Sequence, residues 1–152
     1  MNQIPPRIGL EEFVFAVTSV PGATAAGLIH GDLETVSLLA EYYLLVADTL
    51  GRSEGRVIKV MGDGVLIVFP IYRARDAVGD LRFLQTSATA LWSAFDARCR
   101  VEVKAGAGRL ASGAMGPPGA QQFDVYGKAL NDLFKAPSGD FVIVSELDAL
   151  LD

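Results

Sequence analysis

Two short runs of mostly apolar, β-branched residues, separated by a tight turn, form the clearest pattern in the chain. The runs are Arg56–Met61 and residues 65–69, and their alternation favours extended strands. A Gly-Asp-Gly turn centred on Asp63 joins them, and an Asp-Gly step is among the strongest local signals for a hairpin. The pattern predicts a hairpin over residues 55–69. Its tip holds the Asp63 carboxylate rigidly enough to bind a divalent cation, although most Asp-Gly turns only reverse the chain.

A near-continuous apolar run over residues 12–20 lies upstream of this hairpin. It predicts a strand that is buried on both faces. The following Pro-Gly step ends the strand, and residues 23–31 are small and include glycines. This composition predicts a loop whose backbone can approach a ligand closely.

Two longer segments, residues 32–51 and 73–95, have apolar residues at three- and four-residue steps. This spacing predicts amphipathic helices with one buried face each. Tyr42 and Tyr43 are adjacent and point about 100° apart, so only one of them can lie at the centre of the buried face. The other tyrosine is then available to a partner. The apolar positions are Leu33, Val36, Ala40, Tyr43, Ala47 and Leu50 in the first helix, and Ala74, Ala77, Leu81, Leu84, Ala88, Leu91 and Phe95 in the second.

The rest of the chain alternates short strands with short helical segments. The predicted elements are a strand at 101–108, a Gly-, Ala- and Pro-rich connection at 109–122, a strand at 123–126, a helix at 127–135, a strand at 141–144 and a terminal turn or helix from Ser145. The element order predicts an α+β fold. We expect a mostly antiparallel sheet with helices on one face, followed by additional short strands and a helix at the C-terminus.

Composition narrows the classes of function. Of the 152 residues, 51% are hydrophobic and 20% are charged, which is typical of a globular domain with a proper core. We expect one domain over residues 1–152, with an N-terminal arm over residues 1–10. The formal net charge of −5 argues against nucleic-acid binding, because a phosphate backbone attracts basic surfaces.

Cysteine content and hydropathy indicate a cytoplasmic protein. Cys99 is the only cysteine, so an internal disulfide and a multi-cysteine zinc site are both excluded. No apolar run approaches the ~20 residues of a membrane span. The N-terminus also lacks the pattern of a signal peptide. We therefore expect no membrane segment in this chain.

Two stretches of sequence, in this order, carry a resemblance to a known family. The first is the hairpin at 55–69, GRVIKVMGDGVLIVF, and the second is 123–131, FDVYGKALN. Together they resemble the catalytic domain of class III nucleotidyl cyclases, and residues 106–116 are similar to the glycine-bearing strand and loop of that family. The resemblance covers nearly the whole chain. It implies a cyclase-like fold with a ferredoxin-like βαββαβ core. It also implies active sites built between two subunits of a head-to-tail dimer.

The resemblance implies a metal site at the hairpin tip. Asp63 is similar in position to the second of the two metal-binding aspartates in the family, which bind paired Mg²⁺ or Mn²⁺ ions. The first aspartate would fall at Val17 or at Ser19, depending on the alignment. No acidic residue lies between Glu12 and Asp32, so this carboxylate is missing under either alignment.

Lys59 and Asp124 resemble the purine-reading pair of the family in its adenine-selective form. The lysine would donate a hydrogen bond to N1 of the ring, and the aspartate would accept one from the exocyclic amine. A plainer alternative is that Lys59 protects an edge strand from aggregation and Asp124 is an exposed strand residue. Their joint placement in the two matching stretches favours the inherited pair.

Asn131 and Lys135 fall where the family has two further catalytic residues. Asn131 matches an asparagine that orients the ribose. Lys135 replaces an arginine that stabilises charge on the phosphoryl group, and a lysine lacks the planar fork that binds two oxygens at once. The alternative role for Lys135 is a favourable charge at the C-terminus of a helix.

These differences favour a cyclase-homology domain that dimerises, has little or no cyclase activity and has a regulatory role, with ATP as its candidate ligand. The first alternative is an active adenylate cyclase that uses Mg²⁺ or Mn²⁺ to convert ATP to cyclic AMP and diphosphate. The second is a heterodimer subunit that supplies Lys59 and Asp124 while another chain supplies the metal-binding carboxylates. We expect a homodimer by default, with the hairpin and residues 109–122 at its interface.

Overall fold

A computed structural model describes residues 8–152, which form one six-stranded sheet and five α-helices. In chain order these are β1 (Gly9–Ser19), α1 (Ala23–His30), α2 (Asp32–Thr49), β2 (Arg56–Met61), β3 (Gly64–Pro70), α3 (Ala74–Phe95), β4 (Glu102–Met115), β5 (Gln122–Tyr126), α4 (Lys128–Phe134), β6 (Phe141–Ile143) and α5 (Ser145–Asp148). Most of the arm predicted over residues 1–10 lies outside the described residues. Its last two residues already belong to β1.

The sheet is antiparallel except at one strand pair. Its order is β2-β3-β1-β4-β5, and β6 pairs with the first half of β4 in parallel. The other neighbouring strands are antiparallel. The predicted α+β fold with a mostly antiparallel sheet is therefore confirmed.

Both faces of the sheet are covered, because the central strand β1 is apolar on both sides. Val14 points into a cluster with α2 and α3, where Trp92 is fully buried. The next residue, Phe15, points to the opposite face and packs in a second cluster with Leu130 and Leu133 of α4. The expectation of helices on one face was wrong, since α4 covers the face opposite α2 and α3.

Strand β4 is longer than the sequence pattern predicted. Residues 109–115, predicted as part of a connection, continue the strand, which pairs with β1 over residues 102–112 and with β5 over residues 111–115. Glycine and alanine have low strand propensity, but two neighbouring strands satisfy the backbone here. Gly106 also allows a close approach, because a Cβ at this position would lie 2.9 Å from the ring of Phe15.

The segment predicted as a loop over residues 23–31 is mostly the helix α1. Alanine is the strongest helix former, and its high content over Ala23–His30 outweighs the internal glycine. The helix is bounded by Gly22 at φ 92° and Gly31 at φ 89°, and glycine adopts a positive φ without strain. The two glycines separate α1 from β1 and from α2.

Helix α2 forms where predicted but does not bury the predicted face. Leu33 and Val36 of the predicted face are 82% and 60% exposed, whereas Leu38, Tyr42 and Val46 are buried. The helix carries apolar residues nearly all round, so periodicity alone does not select the buried side. No helix within residues 8–152 is both long enough and apolar enough to cross a bilayer.

Candidate functional site

The candidate site lies where β2 and β5, the two outermost strands in the sheet order, approach each other. Strand β5 contacts β2, although these strands lie at opposite ends of the order. The Arg56 guanidinium lies 4.1 Å from the centroid of the Phe123 ring. Nearby, Nζ of Lys59 donates a hydrogen bond to Oδ2 of Asp124 at 3.0 Å. The fold thus brings together two sequence-predicted site residues that lie 65 positions apart.

A cleft of about 200 Å³ opens beside this ion pair. Its walls are mostly apolar and come from β1, β2, β3, β5 and α4. Lys59 and Asn131 supply polar groups, while Val17, Tyr126 and Phe134 are among the apolar lining residues. Apolar walls with a few convergent polar groups are the usual features of a small-molecule site.

The pair of Lys59 and Asp124 is partly open to solvent. The Lys59 side chain is 41% exposed and that of Asp124 is 29% exposed. Ion pairs at such exposure contribute about 0–1 kcal/mol to stability. The second oxygen of Asp124, Oδ1, accepts a hydrogen bond from the backbone N–H of Val125 at 2.8 Å. A ligand can therefore separate the two side chains at low cost while Asp124 stays oriented by its own strand.

The predicted hairpin is confirmed, with β2 and β3 paired in antiparallel around the turn. Its aspartate is engaged by the protein itself. Oδ2 of Asp63 accepts a hydrogen bond from the backbone N–H of Val20 at 2.7 Å, and its backbone oxygen accepts one from Oγ1 of Thr18 at 3.3 Å. Asp63 therefore ties the hairpin to the end of β1.

Two adjacent tyrosines of α2 also hold the hairpin. The Tyr42 hydroxyl donates to Oγ1 of Thr18 at 2.8 Å, and the same oxygen accepts from the backbone N–H of Val65 at 3.1 Å. The Tyr43 hydroxyl donates to the backbone oxygen of Gly62. The sequence marked these tyrosines as a pair that points in two directions. It gave no signal of their hydrogen-bond partners, which are remote in sequence.

The buried hydroxyl of Tyr42 predicts an alkaline loss of stability. Burial, reinforced by the negative charge of Asp63, raises the pKa of Tyr42 from 10.0 to about 12. Between these values the unfolded chain has released the proton and the folded chain retains it. Stability that is present below pH 10 should therefore fall as the pH rises, by about 1.4 kcal/mol per pH unit. The Tyr42→Phe variant should lack this contribution, so urea unfolding at pH 7 and pH 11 should show a smaller loss than in the native protein.

Tyr126, whose side chain is 66% exposed in the single chain, provides a matched control when unfolding is followed at a concentration that keeps the chain monomeric. Tyr126→Phe should retain the full alkaline loss of the native protein. An equal alkaline loss in Tyr42→Phe and in the native protein would contradict the assignment to Tyr42.

The residues near Asp63 do not fit a site for two divalent cations. Val17 and Ser19, the two candidate positions of the first metal-binding aspartate, carry no carboxylate. Val17 lines the apolar cleft, and Ser19 is exposed. Glu102 lies opposite Ser19 in the β1–β4 ladder, but its Oε2 accepts a hydrogen bond from Nη2 of Arg100 at 2.9 Å. Within residues 8–152, no three or more acidic, histidine or cysteine side chains are grouped closely enough to hold a metal ion.

Helix α4 positions Asn131 and is followed by Lys135. Asn131 lines the cleft, whereas Lys135 is exposed and is not among the lining residues. A cation that sequence reasoning missed lies at the end of this helix. Nζ of Lys104 donates to the backbone oxygen of Ala136 at 2.6 Å and contacts that of Phe134 at 3.4 Å. Lys104 therefore supplies a favourable charge at the C-terminus of α4, the alternative role considered for Lys135.

Comparison with solved structures shows that this chain has the fold of class III nucleotidyl cyclase catalytic domains. The adenylyl cyclase CyaB from Pseudomonas aeruginosa superposes with a TM-score of 0.86 at 16% identity, over 95% of this chain and 82% of that chain. The guanylyl cyclase Cya2 gives a TM-score of 0.77 at 19% identity, over 95% of this chain and 80% of that chain. A class III adenylyl cyclase-like ATP-binding protein from Pseudomonas aeruginosa gives a TM-score of 0.75 at 15% identity, over 96% of this chain and 36% of that chain.

These similarities confirm the cyclase-like fold implied by the two sequence stretches. No family model and no curated sequence matches the chain. At identities below one fifth, the likeness concerns the fold, so the activity has to be argued from the residues of this chain.

Proposed function

We propose that this chain is a single cyclase-homology domain that dimerises and binds an adenine nucleotide in a regulatory role, with little or no cyclase activity. The observation that carries this proposal is the contact of Lys59 with Asp124 beside a cleft that also contains Asn131. Among the described residues near the hairpin tip, the other carboxylate is that of Glu102, which is paired with Arg100. The chain therefore retains polar groups suited to nucleotide binding, and it lacks one of the carboxylates that metal-assisted catalysis needs.

The chemistry of the pair supports adenine over guanine. Adenine presents an acceptor at N1 and a donor at its exocyclic amine, which complement the Lys59 ammonium and the Asp124 carboxylate. Guanine presents a donor at N1 and an acceptor at O6, so both contacts would be mismatched. A solved protein with this fold is itself described as an adenylyl cyclase-like ATP-binding protein, which supports nucleotide binding as a role separate from cyclisation.

The exposed apolar residues around the cleft support dimerisation. Met61, Tyr126 and Phe134 line the cleft and are 67%, 66% and 53% exposed. Large apolar side chains clustered at the mouth of a site are typical of an interface. A second subunit over this mouth would bury them and enclose the nucleotide.

The corresponding prediction is that the protein sediments as a dimer at micromolar concentration. The Met61→Ser and Tyr126→Ser variants should weaken self-association roughly tenfold each, because each removes apolar area from the interface. Phe83→Ser is a matched control, since Phe83 is 61% exposed on α3 away from the cleft. A native protein that remains monomeric at all accessible concentrations would contradict the proposed interface.

A second candidate is an adenylate cyclase that works as one subunit of a heterodimer. It is favoured by the presence of Lys59 and Asn131 in one cleft. Another chain would supply the Mg²⁺- or Mn²⁺-binding carboxylates. The test mixes this protein with a cyclase chain whose own purine-reading residues have been replaced by alanine. Cyclic AMP production that appears only in the mixture, and is lost with Asp124→Ala, would establish this candidate.

A further inference from the structure

The face of α2 that points away from the sheet is apolar and uncovered in the described chain. Leu33, Val36 and Leu44 are 82%, 60% and 65% exposed. Ala40 and Ala47 are also exposed and lie on the same side of the helix. These five residues define the outer stripe of α2. Solvent-facing helix surfaces are normally polar, so a continuous apolar stripe opposite the buried face indicates an interaction surface.

A row of carboxylates runs along one flank of the outer stripe. Glu34, Glu41 and Asp48 are exposed and follow one another at intervals of seven residues. Seven residues make nearly two helical turns and advance about 10.5 Å, so the three carboxylates remain in line. Among residues 8–152, the one ion pair made by this row is a 3.9 Å contact from Nδ1 of His30 to Glu34. The row is therefore available to cations from outside the chain.

The negative charge beside the outer stripe restricts which partner can cover it. Residues 23–49, which include α1 and α2, contain no lysine or arginine. A second copy packed through this stripe would bring three more carboxylates and no α2 cation to pair with them. Anionic lipid headgroups would meet the same repulsion. A helix with its own apolar stripe and with lysine or arginine every seven residues would instead match both the stripe and the carboxylate row.

We propose that the outer stripe of α2 is a docking surface for a cationic amphipathic helix of another protein. Its apolar side chains pack against Leu33 and Leu44, and the small residues Ala40 and Ala47 permit close approach of the two helices. Its lysine or arginine side chains pair with Glu34, Glu41 and Asp48. This surface shares no residue with the cleft that contains Lys59 and Asn131, so the proposal does not depend on nucleotide binding.

The test uses a fluorescent helical peptide of the length of α2, 18 residues, with leucine along one face and lysine at seven-residue intervals beside it. A matched peptide carries glutamate in place of each lysine. Fluorescence anisotropy with the full chain should show binding of the lysine peptide. The glutamate peptide should bind at least roughly tenfold more weakly. Equal binding of the two peptides, or binding of neither, would overturn the proposal.

Variants then locate the binding site of the lysine peptide. Leu44→Ser and Glu41→Lys should each weaken binding about tenfold, and both positions are exposed, so the fold should be retained, as circular dichroism would verify. Leu10→Ser and Glu11→Lys are matched controls at exposed positions of β1, and both should bind like the native protein. Equal losses in test and control variants would refute the outer stripe as the site. Recruitment to phosphatidylserine vesicles without binding of the lysine peptide would likewise refute it.

Discussion

Native protein incubated with ATP and either Mg²⁺ or Mn²⁺ is expected to form no detectable cyclic AMP, whereas Ser19→Asp is expected to raise the rate at least roughly 100-fold above background. The reason is that Asp63 offers a single carboxylate. One of its oxygens already accepts a hydrogen bond from the backbone N–H of Val20. An aspartate at position 19 would add a carboxylate on the residue before Val20, whose N–H binds Asp63.

The exposure of the two positions favours Ser19 over Val17 for this repair. Side chains alternate along β1, so both positions point to the face of the sheet opposite Thr18. Val17 lines the apolar cleft, however, and a carboxylate there would be desolvated against residues such as Leu66. Ser19 is exposed, so a charge at this position costs little. Ser19→Asn is the matched control, because it has nearly the shape of aspartate without the charge and should remain inactive.

The second part of the same experiment adds Lys135→Arg to Ser19→Asp. Arginine restores a planar fork that binds two phosphoryl oxygens, so the double variant should be faster than Ser19→Asp alone. The two changes act on the same developing charge and need not be additive. Robust turnover by the native protein would refute the proposal of little or no cyclase activity and would favour an active adenylate cyclase.

The second large effect concerns purine choice. ATP is expected to bind the native protein about tenfold or more tightly than GTP, because each mismatched base-edge contact costs ~1–3 kcal/mol. The ion pair between Lys59 and Asp124 must open for the base to enter, and its partial exposure makes this inexpensive. Isothermal titration of both nucleotides, with and without Mg²⁺, measures the preference.

Asp124→Ala should abolish that preference, since the acceptor for the exocyclic amine of adenine is lost. Asp132→Ala is the matched control: Asp132 is an exposed aspartate of α4 whose carboxylate pairs with Lys128. Its loss should leave the ratio of ATP to GTP affinity unchanged. Equal affinity of the native protein for both purines would argue that Lys59 and Asp124 serve only to join β2 to β5.

Several elements could be predicted from sequence because their determinants are local. The strands Arg56–Met61 and Gly64–Pro70 follow from two β-branched runs around an Asp-Gly turn. The helix Ala74–Phe95 follows from an apolar stripe with polar residues on the other side. Helix α1 was missed because its small residues were interpreted as a loop. The second half of β4 was missed because its glycines and alanines have weak strand propensity.

The candidate site could be predicted only in part. The sequence indicated Lys59, Asp124 and Asn131 as related positions because they lie in two stretches that resemble one family. It did not indicate that the Asp63 carboxylate is bonded to the backbone of Val20, because that contact joins residues 43 positions apart. The role of Lys104 at the end of α4 was missed for the same reason, since its hydrogen-bond partners lie in a different element.

By itself, the sequence determined the hairpin, the two long helices, the α+β class and the absence of a carboxylate at positions 17 and 19. These features depend on residue identity and on periodicities of two and 3.6 residues, which act over a few neighbouring positions. Only the tertiary structure decided which face of α2 is buried and where the Asp63 carboxylate is used. It also decided that Lys59 meets Asp124. Each of these outcomes depends on packing between segments distant in the chain, where one apolar face or polar partner is selected from several that the local sequence permits equally.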